Sequence, residues 1–322
     1  MAATAIFDPV QRDLDLVEEA IRQVGQVDYP LLASLLQYIL SARGKRVRPA
    51  IVLLAASFHE YRLDLLVPLA AAIELLHTAT LVHDDLVDNA AIRRGIPTLN
   101  TIAGHSVTVL VGDYLFANAA RLCTETQNIR VMRVFGETLM TICDGELRQV
   151  VSAGQWRQTR QEYFDKIERK TASLLRTAAA TGAILSGAPE DHIEALSQYG
   201  RHLGMAFQIV DDVLDFIGDE ATLGKPVGSD LRQGTLTLPA IRMLEEQPDH
   251  PAMRRIFEEG DSSDRAIGDA VLAVVQSDGI AVAMEEARRL SRLAVASLAP
   301  LPASPSRQAL ETLADYVVTR AS

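Results

Sequence analysis

Apolar residues recur at helical spacing from one end of this chain to the other. LDLVEEAIRQV, after Asp8 and Pro9, predicts an opening amphipathic helix, and YPLLASLLQYIL predicts a second that stops at the break Arg43-Gly44. Pro49 then predicts a helix through AIVLLAASF, because proline is tolerated in a first helical turn. A long helix is expected over residues 65–88, followed by a loop over 89–100 that holds Gly95 and Pro97. Further helices are expected near 106–124, 129–153, 160–186 and 190–217. GDEATLGKPVGSDLRQGTLTLP is rich in Gly and Pro and reads as a long functional loop, with shorter helices after it. Strand-type alternation is almost absent. The pattern predicts an all-α helical fold in one domain over residues 1–322, without linker or low-complexity segment.

Composition narrows the choice. Apolar residues make up 48% of the chain but aromatics only 5%, which suits close helix-on-helix packing. The formal net charge of -11 disfavours broad nucleic-acid binding and electrostatic docking on anionic lipid. Cys123 and Cys143 offer neither a disulfide framework nor metal-ligand spacing, so both are expected to be buried free thiols, which fits a reducing, cytoplasmic location. The N-terminus lacks the basic start and apolar run of a signal peptide. Glu74 and His77 interrupt the apolar stretch over 65–82, so no transmembrane span is expected.

Two clusters carry the chemistry. Asp84-Asp85-Leu86-Val87-Asp88 and Asp211-Asp212-Val213-Leu214-Asp215 share one D-D-x-x-D pattern, each at the end of an apolar helix. Residues four apart share a helix face, so each cluster aims at least two carboxylates in one direction. One such cluster on a surface helix is most simply a solvated acidic face. Two in apolar context, each followed by basic residues (Arg93 and Arg94 after the first, Lys225 after the second), favour a site. So many like charges call for a hard divalent cation, and Mg2+ usually arrives with phosphate oxygens. Acid for metal and base for phosphate together describe a diphosphate site. Both clusters lie near helix C-termini, where the macrodipole opposes carboxylates, as expected of a functional rather than a structural placement.

The motifs GKRVRP (44–49), ELLHTATLVHDDLVD (74–88), RRG (93–95), KTASLL (170–175), FQIVDDVLD (207–215) and GKPVGSDL (224–231) occur in this order over nearly the whole chain. In this the chain resembles the trans-isoprenyl diphosphate synthases, or polyprenyl synthetases. The resemblance implies an all-α bundle around a deep central cavity, usually a homodimer, that adds isopentenyl diphosphate head-to-tail to an allylic diphosphate. It implies that Asp84, Asp85 and Asp88 hold Mg2+ on the allylic diphosphate, with Asp211, Asp212 and Asp215 facing them. Lys45, Arg48, His77 and Arg94 match positions that bind isopentenyl diphosphate. Arg93, Lys170 and Lys225 match positions that grip the allylic diphosphate. Thr171 and Gln208 match positions near the developing carbocation, and Phe207 a ring near the isopentenyl unit. Glu146 and Gln149 are expected to support the site rather than react, and His83 to do no more than support the aspartates.

Several departures bear on product and activity. Thr235 stands where many short-chain members carry a lysine. The stretch DYVVTRAS offers Arg320 as its sole basic residue, so a closing basic tail is weakly represented. The first cluster lacks the extra residues of the bacterial farnesyl type. Ala79 and Thr80, about one turn before Asp84, are small where short-chain members place an aromatic that blocks the growing tail. A medium or long all-trans polyprenyl diphosphate for a quinone side chain is therefore the expected product, with geranylgeranyl diphosphate as the alternative. Leu75, Leu76 and Phe135 are candidate floor residues. A long product would leave toward lipid, so peripheral membrane contact is open. A terpene cyclase is disfavoured by the second D-D-x-x-D and by GKRVRP, and a non-catalytic subunit of a heteromeric synthase by the retention of all six aspartates.

Overall fold

Helix α4 (Leu63–Val87) is apolar on nearly every side, and the chain around it must bury it. In the computed structural model, which describes residues 3–41, 44–93, 95–218 and 227–320, it does so. Leu66, Leu69, Ile73, Leu75 and Leu76 of α4 are all 0–1% exposed. Each such side chain contributes about 1.5–3 kcal/mol by leaving water. Helix α4 packs chiefly on α6 (His105–Glu125), and also on α3 (Val47–Ala56) and α1 (Gln11–Val24). The run Ala70-Ala71-Ala72 keeps its surface low enough for close approach. Taken singly, α4 is the one helix among the described residues long and apolar enough to cross a membrane, and most of its apolar window is buried inside the protein.

The chain falls into two compact units. The first comprises Met1–Thr138, Leu174–Gly200 and Val295–Leu313, and so contains α1, α3, α4 and α6. Within it, α9 (Ser173–Leu185) meets α3 at Gly182, where a Cβ would lie 2.3 Å from the Val52 carbonyl oxygen. The second comprises Leu139–Ser173, Arg201–Ala294 and Ala314–Ser322. It holds most of α7 (Ile129–Ser152), helix α8 (Arg160–Ile167) and the C-terminal half of α10 (Glu190–Ile217). Thr159 and Glu162 form a reciprocal capping box at the start of α8.

Most expected elements are present, α10 with the expected bounds. Three features differ. The single helix expected over 160–186 is α8 and α9 joined by a π-helical turn, Glu168–Ala172. The loop over 89–100 contains a hairpin pairing Ile92 with Pro97 and Arg93 with Ile96, turned at Gly95 with φ 79°. Cys123 is buried as expected, but Cys143 is exposed, because it lies on an uncovered face of α7.

Candidate active site

In the first unit, the first aspartate cluster closes α4. The Asp88 amide donates to the Asp84 carbonyl at 2.8 Å, and both side chains are half-buried on one face. Asp85 points elsewhere and is only 6% exposed. Its Oδ1 accepts from Arg93 Nε at 2.6 Å, so the short hairpin is the device that brings Arg93 back to the cluster. Burial raises the Asp85 carboxyl above the usual range, the Arg93 charge and hydrogen bond pull it back, and Asp88 adds to the rise.

His77 lies seven residues before Asp84, two turns along the same face, and its carbonyl accepts from Thr80 Oγ1 at 2.7 Å. Ala79 is fully buried and Thr80 half-buried. Phe135 is buried on α7. Of the basic motif, Lys45 is exposed and Arg48 half-buried in the first turn of α3. Between them Arg46 adopts φ 49° and turns its guanidinium to Glu18 and to buried Glu74, 2.7 Å from Glu74 Oε1. Arg46 is thus the structural member of the motif. His83 faces α6: Nε2 donates to the Val109 carbonyl at 3.2 Å, in space left by Gly112. Arg94 and Lys225 lie outside the described residues.

In the second unit the π turn carries Lys170 and Thr171, and such widened turns are frequent at functional sites. Two glycines let it fit. A Cβ at 145 on α7 would lie 3.0 Å from Arg169 Cβ, and one at 204 on α10 would lie 2.5 Å from Ala172 Cα. Ion pairs pin it on both sides: Arg169 with Asp144 at 2.8 Å, Lys170 with Glu146 at 2.7 Å, and Arg201 with Glu168 at 2.6 Å. Glu146, with Gln149 Oε1 3.5 Å from the same amine, holds Lys170 in place.

The second cluster is also split between accessible and buried carboxylates, here one and two. Asp211 is accessible and accepts from Arg320 at 2.7 Å. Arg320 also donates to the Phe207 carbonyl at 3.0 Å, its guanidinium 4.0 Å from the ring centre. Asp212 is buried, accepting from Tyr163 Oη at 2.7 Å and Gln208 Nε2 at 2.7 Å. Burial raises the Asp212 carboxyl, while these hydrogen bonds and the Lys166 charge lower it and Asp211 raises it further. Asp215 is fully buried and accepts from Ser229 Oγ at 2.8 Å and the Asp230 amide at 3.1 Å, so it ties the end of α10 to residues 229 and 230. Thr235 N donates to the Asp230 carbonyl at 2.8 Å. Tyr163, Lys166, Gly145 and Gly204 escape sequence reasoning. Only the two glycines inside apolar helices carry a signal, since a helix interior disfavours them without a packing reason.

Among the described residues no three His, Cys, Asp or Glu side chains form a ready cage for a metal ion. Hard oxygen donors in adjacent, partly solvated positions still fit Mg2+, which keeps several waters and takes one or two carboxylates together with substrate phosphate.

Comparison with known proteins gives the family. Residues 29–274 match the family model described as Polyprenyl synthetase. A "Prenyl transferase" of Synechocystis sp. is 37% identical over 99% of both chains. "Heptaprenyl diphosphate synthase component 2" of Geobacillus stearothermophilus is likewise 37% identical over 99% of both. Among solved structures, a decaprenyl diphosphate synthase from Rhodobacter capsulatus superposes with TM-score 0.93 at 37% identity, covering 99% of each chain. A polyprenyl synthase from Caulobacter crescentus CB15, complexed with calcium and isoprenyl diphosphate, gives 0.95 at 33%, covering 100% of this chain and 98% of that one. The chain belongs to the polyprenyl synthetase family, with its all-α isoprenoid synthase fold.

Proposed function

We propose that this chain is a trans-prenyltransferase that condenses isopentenyl diphosphate head-to-tail onto an allylic diphosphate such as farnesyl diphosphate. The observation that carries the reading is the division of labour within both clusters. Asp84, Asp88 and Asp211 remain accessible, whereas Asp85, Asp212 and Asp215 are buried and bonded to protein donors. By the motifs they match, Asp84 and Asp88 in the first unit and Asp211 in the second would bind Mg2+, and the buried three would fix the helix end, the polar network and the segment at 229–230.

Mg2+, when bound, offsets the charge of the allylic diphosphate and makes it a better leaving group. By the motifs they match, Arg93 and Lys170 would add positive charge for the same group, and such preorganised electrostatics should be the largest catalytic contribution. Lys225 is assigned to the same task by its motif. Lys45, Arg48, His77 and Arg94 would bind isopentenyl diphosphate, with Phe207 beside its hydrocarbon. Thr171 and Gln208 would present oxygens to the allylic cation, whose attack by the isopentenyl π bond forms the new C–C bond. Water must be excluded at that stage. The departing diphosphate takes the final proton, so no protein base is required.

A medium or long product is supported by relatives named heptaprenyl, octaprenyl and solanesyl diphosphate synthases, and by Ala79 and Thr80 being small. A homodimer is supported by an exposed apolar stripe on α7, where Met140 and Leu147 are 73% and 64% exposed in line with Cys143 and Val151. The component 2 relative favours a second reading, in which the chain needs a different partner subunit to turn over. Purified chain with Mg2+, labelled isopentenyl diphosphate and farnesyl diphosphate distinguishes the two. Incorporation by the chain alone supports the first reading, and incorporation only on adding a partner subunit supports the second.

A further inference from the structure

A buried run of hydrogen bonds in the second unit has a fixed direction. Asp212 is a carboxylate with two acceptor oxygens and no donor. Tyr163 Oη donates to Oδ2 at 2.7 Å and Gln208 Nε2 to Oδ1 at 2.7 Å. An amide has one oxygen and one NH2, so facing its NH2 to the carboxylate forces Gln208 Oε1 to the other side. There Oε1 accepts from Thr171 Oγ1 at 2.7 Å. The Thr171 hydroxyl proton is thereby committed. What Thr171 and Gln208 can still offer outward on their oxygens is lone pairs.

The anchor is built to hold. Tyr163 is fully buried near the start of α8, so its hydroxyl has the Asp212 carboxylate as its partner and donates to it. Lys166, one turn along α8, places its ammonium 3.2 Å from the Leu236 carbonyl and 5.6 Å from the Tyr163 ring centre. Gly204 and the π turn set how closely Thr171 approaches α10.

We infer that Asp212, held by Tyr163, is an orienting anion whose task is to turn the oxygen lone pairs of Gln208 and Thr171 outward to a developing allylic cation, and that Tyr163 is a positioning residue for this step. The inference rests on the prenyltransferase reading above. It assigns Asp212 to the cation rather than to the leaving group, although Asp211 beside it is accessible to metal.

A double-mutant cycle tests it. Tyr163→Phe leaves one Asp212 oxygen without its donor. Turnover should fall by about 10- to 100-fold, as when a ligand's supporting hydrogen bond is removed. The Kd for farnesyl diphosphate with Mg2+, measured by calorimetry, should stay within about twofold, since no phosphate contact is lost. Thr171→Val should lose turnover similarly, whereas Thr171→Ser should retain it. In the Thr171→Val background, Tyr163→Phe should cost little more, because residues acting through one network are not additive. An undiminished penalty in that background, or a weaker Kd at unchanged turnover, overturns the inference. If Tyr163→Phe does not fold, the contrast between serine and valine at 171 decides: equal losses reject the relay. Failure of the wild-type chain to elongate any allylic diphosphate, alone or with a partner subunit, would instead reject the reading beneath it.

Discussion

Arg320 donates to Asp211 at 2.7 Å while its guanidinium lies over the ring of Phe207. Arg320 thus occupies a carboxylate assigned to Mg2+. A cation entering at Asp211 must compete with this guanidinium.

Arg320→Ala should therefore tighten Mg2+ binding to the substrate-free chain by about 2- to 5-fold, the worth of a partly exposed ion pair. Isothermal titration in low salt measures it. An unchanged Kd would show that Asp211 does not take the metal.

Gly204→Ala brings a Cβ to 2.5 Å from Ala172 Cα, a backbone atom that cannot swing away. The π turn must shift, at a cost of about 1–3 kcal/mol typical of overpacking. Urea unfolding should show that loss. Turnover should fall further than stability does, because Thr171 moves from Gln208. Full turnover at reduced stability would uncouple the π turn from the chemistry.

Away from the site, His59 Nε2 and His192 Nδ1 are 3.0 Å apart. Burial and then the neighbouring His192 hold His59 below the ordinary imidazole range, with Asp191 opposing them. A depressed folded value means that the unfolded chain takes up the proton first as pH falls through about 6.5. Stability is then lost toward lower pH, since ν_U exceeds ν_N there. His59→Gln should flatten the decline of the urea midpoint between about pH 7 and pH 5. An identical slope in both proteins would remove His59 as its source.

Ala79 is fully buried about one turn before Asp84. Ala79→Tyr should shorten the polyprenyl product, as read by sizing the dephosphorylated alcohols. Phe135→Ala should lengthen it if Phe135 forms the floor. No change in length with tyrosine at 79 would place the limit elsewhere.

Helical periodicity made most of this fold legible, because burying one face of each helix is a local requirement written every three or four residues. The aspartate clusters were legible because neither a packed core nor a solvated face calls for two matching sets of like charges at the ends of apolar helices. The π turn was not. Residues 168–172 contain neither Gly nor Pro, and the small residues that admit the turn, Gly145 and Gly204, lie on two other helices. Tyr163 reads locally as an apolar-face aromatic, and its bond to Asp212 spans 49 positions. The hairpin at Arg93 has two-residue strands, too short to show alternation. Cys143 was misplaced because the helical pattern gives a face but not whether a neighbour covers it.

The most direct measurement is to incubate the purified chain with labelled isopentenyl diphosphate, farnesyl diphosphate and Mg2+, and to size the dephosphorylated products. A ladder of all-trans alcohols ending well beyond geranylgeraniol is the predicted result. A stop at geranylgeraniol would contradict the open wall at Ala79 and Thr80, and cyclic hydrocarbon without isopentenyl incorporation would contradict chain elongation itself.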